Sequence, residues 1–149
     1  MSQGEQVGPL DEAVGYVLKR AATALRTAMD AALRPLDLTV PQYSCLEVLS
    51  QQPGLSNAEL ARAVFVTRQS MNLVLRGLQD RGLITRPTTA PHGRALPTEL
   101  TPAGRKQLKA ASTAVRKVEA AMLAPFTQPQ QKHLLTDLNT CIQALDQLS

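Results

Sequence analysis

Aromatic side chains are nearly missing from this 149-residue chain: 3% of it, with two Tyr, two Phe and no Trp. Base-stacking platforms and aromatic ligand cages each need several such rings, so neither is a main theme. Cysteine is as scarce. Cys45 and Cys141 stand alone, without the paired spacings of a zinc site or a redox motif. No apolar run approaches the ~18 residues that span a bilayer, so no membrane role is expected. Met1-Ser2-Gln3-Gly4-Glu5-Gln6 offers neither a basic nor an apolar export region. The expected compartment is therefore the reducing cytoplasm. There is no recognisable Ser/His/Asp constellation, no Gly-rich phosphate loop and no metal cluster around His133. No catalytic residue, metal or cofactor is assigned, and an enzyme is not expected.

What is present is enough for one folded domain. The chain is 44% hydrophobic and 19% charged, which excludes a wholly disordered polymer. At this length roughly two-thirds of the unfolded surface can be buried without a disulfide or metal. The formal net charge of +4 is unevenly placed. Residues 1–55 are slightly acidic, whereas in residues 56–105 every basic side chain is an arginine: Arg62, Arg68, Arg76, Arg81, Arg86, Arg94 and Arg105. Arginine presents a fixed fork of donors that suits phosphates and guanine edges. A mildly basic solvated surface would look the same on charge alone.

The outer segments have helical periodicity. Val14, Val17, Leu18, Ala21, Leu25, Met29, Ala32 and Leu33 form one stripe that Pro35 ends. Leu108, Ala111, Val115, Val118 and Met122 form a heptad-like seam, and Leu138, Cys141, Leu145 and Leu148 form another. Helix starts are written locally. Thr39-Val40-Pro41-Gln42, Ser56-Asn57-Ala58-Glu59 and Thr127-Gln128-Pro129-Gln130 are capping boxes. Thr101-Pro102 places a capping hydroxyl before a proline at the first helical position, and Arg81-Gly82 ends the helix that begins near Thr67. Leu83–Arg86 and Ala95–Leu100 read as two short strands around a turn-rich loop, with Pro97 fit only for an edge. Helix, turn, helix, two-stranded ribbon is the order of a winged helix-turn-helix. The predicted fold is mainly α with a small β-wing.

Ser56 to Ala63 predicts a short helix, Val64-Phe65-Val66 a turn, and Thr67 to Arg81 a second helix. Met71, Val74, Leu75 and Leu78 face the core by spacing. The opposite face carries Arg68, Gln69, Asn72 and Arg76, with Thr67 as N-cap and Ser70 within reach of a DNA backbone. These side chains can donate to guanine, pair with adenine or hold phosphate. They cluster in the N-terminal turns, where a recognition helix meets base edges. An ordinary amphipathic surface helix could carry the same residues.

Leu38-Thr39-Val40-Pro41-Gln42-Tyr43, Leu55–Ala61, Val66–Ser70, Leu78–Arg86 and Leu100-Thr101-Pro102-Ala103-Gly104 resemble consecutive motifs of the MarR family of transcriptional regulators. The resemblance runs from about Asp11 to the C-terminus. It implies a homodimer held by residues 1–36 and 104–149, with residues 37–103 as the winged DNA-binding region. It further implies a pseudo-palindromic duplex operator and a repressor released by a small aromatic or phenolic ligand, or by cysteine oxidation. The ligand site would lie near Tyr43, between the dimerisation helices and the winged region. In the wing, Arg94 matches the family's arginine. His92-Gly93 stands where the family commonly has an acid that orients it, and Gly93 loosens the tip. Both cysteines are read as buried and structural, and Glu47 as a surface residue. Two other readings stay open: a winged protein-interaction module without an operator, and a DNA-binding regulator without an effector.

Overall fold

Residues 8–86 and 98–149 are described in a computed structural model. A 3-10 turn at Leu10–Glu12 leads into α1 (Val14–Leu33), and a second at Arg34–Leu36 leads to α2 (Val40–Gln51). Then come α3 (Asn57–Ala63), α4 (Arg68–Asp80), β1 (Ile84–Thr85), β2 (Glu99–Leu100), α5 (Pro102–Leu123) and α6 (Gln128–Asp146).

The helices start where the capping chemistry dictates. The hydroxyls of Thr39, Ser56 and Thr127 accept from the third helical N–H, and Gln42, Glu59 and Gln130 reach back to the cap's own N–H. Thr67 and Thr101 cap α4 and α5 in the same direction through their hydroxyls. Each such cap stabilises its helix by about 1 kcal/mol. Hydrogen bonds from Ser56 hold the Glu59 carboxyl below the usual carboxylate range. Gly82, at φ 71, closes α4 by adopting the left-handed conformation.

The core sits in the winged unit. Leu46, Leu60, Met71, Leu75 and Leu78 are fully buried, and Leu33 and Leu108 bring the ends of α1 and α5 onto the same cluster. The predicted strands are shorter than their sequence signal. β1 and β2 pair antiparallel as Ile84↔Leu100 and Thr85↔Glu99. Leu83 is withdrawn from the strand because its N–H bonds the Leu78 carbonyl and so finishes α4. Of the expected second strand, residues 95–97 lie outside the described residues, as do His92, Gly93 and Arg94.

The outer helices bury little of their apolar stripes. On α1 only Leu33 is buried, while Val14, Val17 and Leu18 are exposed. No residue of α6 is buried, and Leu138, Ile142, Leu145 and Leu148 face solvent. This corrects the expectation for Cys141, which is exposed because nothing among the described residues covers that side of α6. Cys45 is buried as expected. Among the described residues no helix is long and apolar enough to cross a membrane.

Candidate nucleic-acid interface

The positioning of α4 begins one helix earlier. The Ser56–Glu59 box starts α3, and Leu60 and Ala61 bury its inner side. The turn is tight: Val66 N–H bonds the Ala61 carbonyl at 3.0 Å and Phe65 N–H the Arg62 carbonyl at 3.4 Å. Thr67 then caps α4, accepting from Ser70 N–H at 3.0 Å. With Met71, Leu75 and Leu78 fully buried and Val74 half-buried, the opposite side must face outward. Thr67, Arg68, Gln69, Ser70, Asn72 and Arg76 are all exposed there. The structure thus brings six of the sequence-predicted DNA-binding residues onto one face of one helix and its cap. Arg94, the seventh, lies outside the described residues.

Two hydrogen bonds refine what this face can offer. Thr67 Oγ1 donates to Ser70 Oγ at 3.0 Å, so Ser70 keeps its own proton for an outside acceptor. Asn57 Nδ2 donates to Asn72 Oδ1. That bond takes up one of the two lone pairs of Asn72 Oδ1 and ties this side chain to α3. Asn57 Oδ1 is buried without a partner. A lone helix residue such as Asn57 gives no sign in sequence that it will meet Asn72.

Tyr43 lies elsewhere, at the junction of α2 and α5. Its hydroxyl donates to Glu47 Oε2 at 3.2 Å, and Ser112 Oγ donates to the same oxygen at 3.0 Å. Gln51 Nε2 holds Glu47 Oε1 at 2.8 Å. Burial, followed by the neighbouring Glu47 charge, raises the Tyr43 pKa above its ordinary value, while Arg116 acts in the opposite sense. The phenol therefore stays a donor at neutral pH. Glu47 is not the plain surface residue expected of it; it is a half-buried acceptor joining α2 to α5. The Tyr43-x-x-x-Glu47-x-x-x-Gln51 spacing was a usable signal for the α2 half of this network, but Ser112 was not.

An apolar groove of about 920 Å³ runs between α1 and α5, lined by Ala21, Leu25, Ala28, Pro35, Ala114 and Val118 among others. Tyr43 does not line it.

Residues 36–95, which span α2 through α4 and β1, match the sequence profile of the MarR family. The HTH-type transcriptional repressor Rv2887 of Mycobacterium tuberculosis is 50% identical over 122 residues, covering 82% of this chain and 88% of the relative. The chain belongs to the MarR family. Among solved members, Mycobacterium tuberculosis Rv2887 in complex with salicylic acid superposes with a TM-score of 0.73 at 48% identity, covering 86% of this chain and 95% of the other. Rv2887 in complex with DNA gives a TM-score of 0.73 at 46% identity, covering 86% and 96%. The matched region contains α4 whole, so the MarR assignment and the exposed polar face concern the same helix.

Proposed function

We propose that this MarR-family chain is a sequence-specific DNA-binding transcriptional repressor that acts as a homodimer and is released by a small aromatic ligand. The observation that carries the reading is α4. Its apolar side is locked into the core, and its other side presents Arg68, Gln69, Asn72 and Arg76 from a capped N-terminus. Arg68, Gln69 and Asn72 read base edges in the major groove, Ser70 and Arg76 hold phosphate, and Arg94 acts from the wing on the backbone or minor groove. That a relative of 46% identity has been solved with DNA supports this use of the face. The reading assigns no chemical reaction to the chain.

The uncovered stripes of α1 and α6 and the α1–α5 groove support dimerisation through residues 1–36 and 104–149. So much contiguous apolar surface is costly to leave in water. Two copies place two α4 helices on successive half-sites of a pseudo-palindrome. The aromatic ligand is assigned to the junction near Tyr43, where the phenol and Arg116 offer polar groups to orient it. A salicylic acid complex of Rv2887 supports that ligand class.

The test is selection of duplexes from a random pool, followed by titration of the enriched duplex at several salt concentrations. A palindromic motif whose affinity falls steeply with salt is expected. Salicylate is then added to the preformed complex and should release the duplex. Failure to enrich any duplex defeats the DNA-binding reading. Enrichment without release by any aromatic acid leaves a repressor without this effector.

A further inference from the structure

We propose that Phe65, in the turn between α3 and α4, is a DNA-contacting residue that inserts its ring against the apolar surface of the duplex at the edge of the major groove. The inference rests on the DNA-binding reading above and extends it to a residue outside the polar face.

Phe65 combines two properties that the fold itself does not repay. Its backbone stands at φ 62, in the left-handed region that bulky side chains avoid and glycine adopts freely. Its side chain is 93% exposed, so it gains almost nothing from burial. Val14 and Leu145, also strongly exposed, belong to helical stripes on α1 and α6, and Leu73, 68% exposed, lies on α4 itself. Phe65 belongs to no stripe. It is also one of only four aromatic residues in the chain.

The direction of the ring is fixed by its neighbours. Val64 is buried and its N–H bonds the Leu60 carbonyl at 3.0 Å. Val66 is half-buried and its N–H bonds the Ala61 carbonyl at 3.0 Å. Anchored on both sides, Phe65 projects outward two residues before Thr67, the cap of the proposed recognition helix. Exposed Arg62 and Arg68 flank it three residues away on either side. That setting favours a polyanion with apolar features between its charges. In a duplex those features are the thymine C5-methyl group and the deoxyribose face. A protein partner that buried Phe65 would have to desolvate both guanidinium groups, unless it supplied acids to match.

The probe is the duplex that the wild-type chain enriches from a random pool, measured by fluorescence anisotropy at fixed salt. Phe65→Gly should relieve the backbone and raise the melting temperature by about 2 °C, while weakening duplex binding about tenfold. Phe65→Ala, which keeps the side-chain loss without the glycine flexibility, should weaken binding to the same degree and not raise the melting temperature. Phe65→Leu should retain most of the affinity. Replacing thymidine by deoxyuridine one position at a time separates the two surfaces. Sensitivity at one position, absent in Phe65→Ala, assigns the methyl group; insensitivity with an even loss in Phe65→Ala assigns the sugar. Wild-type affinity in both Phe65→Ala and Phe65→Gly overturns the proposal while leaving the DNA-binding reading intact. A lower melting temperature for Phe65→Gly overturns the claim that the turn is strained. If the wild-type chain enriches no duplex, both readings fail together.

Discussion

Gly104 is the position where a single methyl group should do the most damage. It is the third residue of α5 and is buried. A Cβ built there would stand 2.0 Å from the Leu83 carbonyl oxygen and 3.0 Å from its carbonyl carbon. An ordinary carbon–oxygen contact is about 3.3–3.6 Å, so the backbones must part by more than about 1 Å, and no flexible side chain is there to give way. The same few atoms hold the joint together. Thr101 N–H bonds the Leu83 carbonyl at 3.1 Å, Thr101 Oγ1 donates to the Gly82 carbonyl at 2.6 Å, and Gly104 N–H donates to Thr101 Oγ1 at 3.0 Å. Overpacking costs about 1–3 kcal/mol, and each weakened hydrogen bond about 0.5–1.5 kcal/mol. Alanine's better helix propensity returns about 0.5–1 kcal/mol. Gly104→Ala should therefore destabilise the protein by about 2–4 kcal/mol. Urea unfolding followed by far-ultraviolet circular dichroism, at one fixed protomer concentration, should show the midpoint falling by about 1–2 M. Gly15→Ala is the matched control. Nothing lies within 4 Å of a Cβ at Gly15, so that change should be neutral or mildly stabilising. A Gly104→Ala midpoint equal to or above wild type would refute the close-approach reasoning.

Four further outcomes are expected. Arg68→Ala and Gln69→Ala should each cost about 1–3 kcal/mol at particular half-site positions, whereas Arg94→Ala should weaken binding evenly and flatten the salt dependence; an equal loss for Arg68→Ala on every duplex would refute base reading by α4. Burial pushes the Cys45 thiol up to about 12, only partly offset by Arg86, so mass spectrometry after alkylation of the folded protein at pH 8 should find Cys45 unmodified. The unfolded thiol ionises near 9, so the thiol's contribution to stability is fully present below pH 9 and is lost as the pH rises toward 12; a melting temperature that falls more steeply across this window in wild type than in Cys45→Ala checks the sign. Glu47→Ala leaves the Tyr43 and Ser112 hydroxyls without their acceptor and should lower stability by about 1–3 kcal/mol, and an unchanged urea midpoint would remove Glu47 from the α2–α5 joint.

Most of the architecture was legible because it is encoded locally. A capping box needs only a hydroxyl and an acceptor three residues apart, and all three expected boxes are formed. The α4 core positions follow from helical spacing: Met71, Leu75 and Leu78 are buried as predicted, and Val74 is half-buried. Periodicity shows that a stripe is apolar but does not say which chain covers it. Cys141 was therefore misjudged: it shares a seam with Leu138 and Leu145, and the seam is open in the protomer. The Glu47–Ser112 and Asn57–Asn72 contacts were illegible for a different reason. Each joins residues far apart in sequence, brought together only when α5 crosses α2 and α3 packs on α4. The exposed polar residues of α4 could be listed from the helix face, but their hydrogen-bond partners within the fold could not.

Other distant contacts decide how α4 is tied to the rest of the molecule. Arg81, the C-cap of α4, donates to the Asp37 carbonyl at 2.7 Å and the Leu36 carbonyl at 3.4 Å. Gln107 of α5 donates to that Leu36 carbonyl at 2.8 Å. Thr101 fastens the start of α5 to Gly82. The end of α4, the link between α1 and α2, and the first turns of α5 therefore share one knot of backbone carbonyls. Met71, Leu75 and Leu78 are fully buried on the core side of α4 and resist its sliding within its own unit. A shift in the first turn of α5 is therefore expected to carry α4 with it. Spacing between two DNA-facing helices would then be set by the angle at which α1 and α5 meet their partners, and not by any rearrangement inside the winged unit. A ligand at the site proposed near Tyr43 would press on α5 beside Ser112, the residue that Glu47 holds, so its leverage would come through α5 and not from contact with DNA.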